Sequence, residues 1–280
     1  MVFSYPIDDK YSNILSSTDN LFHFTKSKGA IEGILKSETL KLNIFCNTND
    51  PKEYKEKLTG IVGWGIGEEK LRDALDVKAE IDQILLHRSA FISFCQNRYQ
   101  NSNIVSNACL KSRMWSQYGE NHNGMCIIFS KRELNSEMKL VFDKEKYLYF
   151  SGKVKYVKMP NDDTTFLRIN RGELDSISKS ELAYSFIKSK IKDILFCKLE
   201  DYRDEDEYRI IVIGKEDSIE KCTFLDIPIR SSIKGIILGD KFDSVYYPTV
   251  FKFAKYFNIE LLKLHWERKE YYIYPINEQD

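Results

Sequence analysis

The stretch KLEDYRDEDEYRIIVIG (198–214) sets two carboxylates and a guanidinium, Glu205, Glu207 and Arg209, at alternate positions where a polar run becomes an apolar one. With a strand beginning near Glu205, period-two geometry points all three to one face. Such a group is costly to bury and unnecessary for a core. It suits a charged substrate, or else a solvated acidic loop in which Arg209 forms a surface ion pair. A second group lies in SRMWSQYGENHNGMCIIF (112–129). On a helix, Trp115 and Tyr118 are three apart and share a face, with Ser112 one turn earlier. That face can stack on a planar ligand or simply pack on a sheet. The third is LFHFT (21–25), where a strand points His23 away from Phe22 and Phe24 and outward with Leu21 and Thr25.

Strands and short helices must position these groups. LFHFT reads as a strand, and KSKGAIEGILKS as a helix with Thr25 or Ser27 as cap and Ile31, Ile34 and Leu35 on one face. TLKLNIF (39–45) alternates as a second strand before the turn-rich NTNDP. GIVGWGIG (60–67) lacks the Lys-Ser/Thr of a phosphate loop and reads as a flexible connection. A helix spans 68–90, a buried strand AFISFCQ, a loop NRYQNSNIVSN, a short helix CLKSRMWSQYG and a strand GMCIIF. EMKLVF and YLYFSGKVKYV read as two more strands, and 178–200 as a long amphipathic helix. The final third is mostly strand (EYRIIVIG, CTFLDI, SIKGIILGD), closed by a helix bent or delayed at Pro248 and the strand pair IELLKL and YYIYP. Strands dominate both ends and helices fall in clumps, which predicts an α+β fold. The expectation is one domain over 1–280 with a helical insertion at about 60–90.

Composition narrows the function. Lys plus Arg (42) cancel Asp plus Glu (42), and the pI is near 6.9, so a polyanion site needs a local cluster of cations. Neutral net charge still permits a short single strand held by base stacking. The Lys-rich stretch 187–198 offers such a basic edge or a solvated helix face. Hydrophobic residues (42%) suffice for a sizeable core. No apolar run approaches the roughly 18 residues of a membrane span, so no membrane partner is expected. The N-terminal residues show no basic-then-apolar leader, which gives the expectation of a cytoplasmic protein. Six scattered cysteines without C-x-x-C spacing predict buried reduced thiols and no metal site.

Taken in order, the motifs form a pattern. They are L-x-H-x-T, N-D-P-x-E (Asn49, Asp50, Pro51, Glu53), S-F-C (Ser93 to Cys95) and M-W-S-x-Y-x-x-x-H-x-G (Met114 to Gly124). Lys198, E-x-E-x-R (Glu205, Glu207, Arg209) and I-x-x-I-I-L-G (Ile233 to Gly239) follow. Over roughly residues 20–240 this resembles the bacterial family called domain of unknown function 2971. The first strand and helix also look like the opening of DNA-modifying ADP-ribosyltransferase toxins.

The resemblance implies the ADP-ribosyltransferase fold, a split β-sandwich that holds NAD as substrate in a cleft. By it, His23 binds the adenosine ribose, Tyr118 or Trp115 stacks on nicotinamide, and Glu207 completes the site. Glu205 resembles the first Glu of E-x-E, which contacts the acceptor in arginine-modifying transferases. Thr25, Ser93, Arg209, Asn49 and Asp50 join the residues expected to hold NAD. No S-T-S strand motif is visible, although Ser93 occupies a comparable strand. The chemistry is coherent in itself. Breaking the nicotinamide–ribose bond builds positive charge on the ribose, which a nearby carboxylate stabilises. Arg209, Arg113 and Lys198 are the cations available to the pyrophosphate. The implied function is an ADP-ribosyltransferase, a toxin-like or phage-defence effector with a protein or nucleic-acid acceptor and a neutralising partner protein. The alternatives are an NAD glycohydrolase and a non-catalytic binding or regulatory protein on the same fold.

Overall fold

Runs of β-branched and aromatic residues, broken by short helices, build one mixed ten-stranded sheet in the computed structural model. The structure describes residues 14–48, 58, 60–158, 166–215, 225–267 and 269–277. In chain order the strands are β1 (Asn20–Thr25), β2 (Thr39–Ile44), β3 (Ser89–Cys95), β4 (Met125–Ser130) and β5 (Tyr147–Lys153). They continue with β6 (Glu207–Gly214), β7 (Leu225–Pro228), β8 (Ile233–Leu238), β9 (Glu260–Glu267) and β10 (Glu270–Pro275). The helices include the π-helical α1 (Gly29–Leu35), α2 (Glu68–His87), α3 (Ser112–Gln117), α4 (Lys131–Val141), α5 (Lys179–Ile194) and α6 (Tyr247–Phe257), with other short helical segments between them. The α+β class expected from the sequence is the class observed.

β3 is the branch point. One edge pairs along its whole length with β6, antiparallel from Ser89↔Ile213 to Cys95↔Glu207. The other edge meets two strands. Ala90 and Phe91 pair with Ile44 and Asn43 of β2, whereas Cys95 pairs with Phe22 of β1. Between these contacts the Ile92–Phe94 edge is left open. One half of the sheet is β7-β2-β3-β6-β5, and the other is β1-β4-β8-β9-β10, with β8 and β9 its parallel pair.

The two halves share a core in which Leu21, Ile127 and Phe129 meet Leu42, Ile92, Phe94 and Ile210. On the outer side of β3 and β6, Ile211 and Ile213 pack with Val77 and Ile81 of α2 and Ile187 of α5. Outside β1 and β4, Phe22, Phe24 and Ile128 pack with Met114 and Trp115 of α3. The halves thus face each other, with helices covering both backs.

Four segments differ from expectation. The helix expected over 178–200 ends at Ile194, and Cys197–Leu199 is a short strand parallel to Lys155–Val157. EMKLVF lies in α4, because Leu134 and Met138 bury one helical face and Ser130 caps the helix by accepting from the Glu133 amide. Helical spacing over eleven residues outweighs alternation over six. Gly60–Trp64 is a strand in parallel register with Phe166–Asn170, and a Cβ on Gly60 would lie 2.8 Å from the Phe166 ring. Its glycines serve a close approach rather than a loose connection. Arg98–Gln100 and Asn103–Ser106 form a hairpin where a loop is expected, turning through Asn101 and Ser102 at positive φ.

Candidate active site

Where β1 and β2 part from β3, a cavity of about 540 Å³ opens against the unpaired stretch of β3. Its size is within the range of sites that hold a small ligand or cofactor. Register brings its charges together. Arg209 lies opposite Ser93 and Ile211 opposite Phe91, and facing pairs in an antiparallel ladder share a side. Arg209 is 1% exposed, lies over the Phe91 ring at 5.2 Å and donates through Nη1 to the Leu195 carbonyl at 2.9 Å.

Glu207 is 3% exposed and fully engaged. One carboxylate oxygen accepts from the Ser93 hydroxyl and from Arg209 Nε. The other accepts from Arg209 Nη2 at 3.3 Å and Lys198 Nζ at 2.9 Å. A carboxylate offers about four acceptor positions, and these four donors fill them. Burial opposes ionisation of Glu207, but the Arg209 and Lys198 charges outweigh it and hold the pKa at about 2.

Glu205 departs from the expected geometry. It precedes the strand, in a short 3₁₀ turn (Glu200–Glu205), and Asp206 turns the chain into β6 at φ +43°. The Asp206 carboxylate is held in that conformation by Arg98, at 2.8 and 2.9 Å, and by Lys111. Glu205 still reaches Glu207 through Lys198, whose Nζ lies 3.0 Å from Glu205 Oε2. Its other oxygen accepts from the Tyr118 hydroxyl at 2.9 Å. Burial and the neighbouring Glu205 push the Tyr118 pKa well up, so Tyr118 remains a donor at neutral pH. Glu205 is 3% exposed, so neither glutamate belongs to a solvated loop.

His23 stands on the opposite wall, edge-on to Phe94 at 5.6 Å. Its Nδ1 lies 3.3 Å from the Ser93 carbonyl oxygen, on the edge of β3 left open by the fork. A carbonyl only accepts, so Nδ1 carries the proton, and burial lowers the pKa of the ring and keeps it neutral. Nε2 is then an acceptor. His23 and Leu21 do share a face, but Leu21 is buried in the shared core rather than pointing outward.

The structure thus brings together His23, Ser93, Tyr118, Glu205, Glu207 and Arg209. Trp115 and Thr25 do not line the cavity. Trp115 is fully buried, edge-on to Phe24 at 5.1 Å, with its indole N–H on the Cys109 carbonyl at 2.7 Å. Tyr118 is the C-cap of α3 and lines the cavity, whereas Trp115 one turn earlier is turned into the core. Thr25 pairs with Met125 at the end of β1. Arg113 bonds Asp204 at 2.7 Å outside the cavity. Asn49 and Asp50 lie outside the described residues. Lys41 and Asn43, passed over in the sequence reading, do line the cavity. Their signal is the polar side of the alternation Leu40, Leu42, Ile44 in β2. Tyr156, also passed over, accepts from the Glu207 amide through its hydroxyl at 2.9 Å. Cys95 is buried, and burial raises its thiol to about 12, so it is no thiolate at neutral pH.

The arrangement is a buried ionised carboxylate beside a neutral imidazole and a phenol, in a cleft with cations at its floor. It is equipped to hold hydroxyls and an anionic ligand and to stabilise developing positive charge. No curated protein and no solved structure matches the chain. The model of the family described as protein of unknown function DUF2971 matches residues 114–210, the stretch that runs from α3 to the first residues of β6 and carries Tyr118, Lys198 and the E-x-E-x-R motif.

Proposed function

We propose that the protein is an NAD-dependent ADP-ribosyltransferase, and that its forked sheet is the split β-sandwich of that fold. The carrying observation is the convergence of His23, Tyr118 and the ionised Glu207 on one cleft. His23 Nε2 accepts a hydrogen bond from an adenosine ribose hydroxyl. Tyr118 flanks nicotinamide. The pyrophosphate draws Lys198 away from Glu207, and the oxygen so released takes a hydroxyl of the nicotinamide ribose. The bond from C1′ to the pyridine nitrogen then breaks, and its electron pair leaves with nicotinamide. Glu207 stabilises the positive charge on the ribose until an acceptor nucleophile bonds C1′ and loses its proton.

One observation favours hydrolysis as a second reading. Glu205 is buried and occupied by Tyr118 and Lys198 instead of facing an incoming acceptor. Water needs no such contact. The effector role and a neutralising partner rest on the resemblance alone, and the cytoplasmic setting on the scattered cysteines without C-x-x-C spacing. The test is incubation of the protein and cell lysate with NAD labelled in its adenylate part. Label entering a macromolecule supports transfer, nicotinamide release without such label supports hydrolysis, and neither product contradicts the proposal.

A further inference from the structure

On the far side of Asp206 from the cleft, two adjoining depressions of about 380 and 350 Å³ share Gln96, Asn97, Tyr99 and Lys153. They form one groove that runs from Lys131, at the start of α4, to Glu207, which also lines the cleft. Nothing in the chemistry proposed above uses it.

Gln96 is the informative residue. It is only 5% exposed and lines both depressions, yet its side-chain amide has no hydrogen-bond partner among the described residues. The residue is buried as a whole but its amide atoms meet solvent in the groove, where a ligand can replace that water. An amide presents donor and acceptor side by side. A phosphate or carboxylate matches only the donor half, whereas the edge of a nucleobase matches both. Beside it, Tyr99 is fixed by donating its hydroxyl to the Ser16 carbonyl at 2.7 Å, which holds the ring as a stacking surface.

The charges on the rim complete the ligand. Lys153 is exposed and has no ion-pair partner among the described residues. Lys131 gives one N–H to the Thr18 carbonyl at 3.1 Å and lies 5.9 Å from the centre of the Tyr208 ring, with no carboxylate partner among the described residues. The neighbouring arginines are committed, Arg98 to Asp206 and Arg203 to Glu200. The ammonium groups of Lys131 and Lys153, lining these depressions in a chain of zero net charge, form the local cluster that a phosphate requires.

We infer that this groove binds a nucleotide unit, its base on Gln96 and Tyr99 and its phosphate on Lys131 and Lys153. The unit is either a free nucleotide or one residue of a single strand. Only its use as the acceptor, because the groove ends at Glu207, rests on the function proposed above.

Binding is measured without NAD, so that the two readings fail separately. The probes are nucleoside monophosphates and fluorescein-labelled single-stranded DNA and RNA of about ten nucleotides. Binding of the strands alone assigns a strand, and binding of monophosphates as well assigns a free nucleotide. The double variant Lys131→Ala/Lys153→Ala, at surface positions, should lose tenfold or more in affinity. Its dependence of log affinity on log salt should flatten by about 0.7 for the strands, the value for one phosphate contact. Gln96→Leu should weaken binding severalfold and leave the salt slope unchanged. Absence of binding to every probe, affinities unchanged in both variants, or equal binding of a poly-glutamate peptide would overturn the inference. A protein that cleaves NAD but binds no nucleotide here loses the groove alone. One that binds nucleotides without cleaving NAD keeps it.

Discussion

Glu207 carries two roles that mutation must separate. It is the counter-charge of Arg209, which is 1% exposed, and it is the proposed stabiliser of the ribose cation. Removing one partner of a buried pair typically costs about 3–5 kcal/mol. Glu207→Gln keeps one acceptor oxygen, so it should fold with a lowered melting temperature and lose roughly 100-fold or more in nicotinamide release. A melting curve beside the assay distinguishes that outcome from simple unfolding. His23→Ala should weaken NAD binding more than it lowers the melting temperature. The ring packs edge-on to Phe94 and makes one bond to a carbonyl, so its structural share is modest. Titration calorimetry that finds NAD affinity unchanged would remove His23 from the site. On the transfer reading, in which Glu205 turns from Tyr118 to the acceptor, Glu205→Ala should cut transfer while leaving hydrolysis by water largely intact. Equal losses in both reactions would assign Glu205 to holding Lys198 and Tyr118 in place.

The site depends on how elements approach one another. The turn before β4 touches the end of β1 so closely that a Cβ on Gly124 would lie 2.3 Å from the Thr25 carbonyl oxygen. Gly124→Ala should therefore push β1 away from β4, lower the melting temperature and, by moving His23, weaken NAD binding. Unchanged NAD affinity in that variant would show that β1 does not position the site. Much of this scale was legible in the sequence. Alternation in EYRIIVIG put Glu207 and Arg209 on one face, and LFHFT, AFISFCQ and GMCIIF formed the strands expected of them. Other features were hidden because long-range contacts decide them. Glu205 left the strand because Arg98 and Lys111, about a hundred residues away, hold Asp206 in a left-handed turn. Trp115 went to the core because Phe24 and the Cys109 carbonyl received it. The fork that makes the cleft is a matter of register between β1, β2 and β3, and no local pattern records it.

At the scale of the molecule, stability and ligand binding share the groups at the fork of the sheet. Burial lowers the pKa of His23, so the unfolded chain takes up its proton first and stability falls as pH drops below about 6.5. Glu207 adds a second loss. Its contribution is complete above its unfolded value of 4.5 and disappears as pH falls toward about 2. Melting temperatures measured from pH 7 downward should decline in these two windows, and His23→Ala should reduce the upper one, leaving the share of His122 and His265, whose ring pKa burial also lowers. If NAD binds in the cleft as proposed, it should stabilise the protein by about 2.7 kcal/mol at a concentration 100 times its Kd and so raise the melting temperature. The most direct measurement of the central claim is the release of nicotinamide from NAD, quantified chromatographically for the purified protein and for folded Glu207→Gln. The account predicts release by the parent and a loss of roughly 100-fold or more in the variant. No release by the parent, or equal release by both, would contradict it.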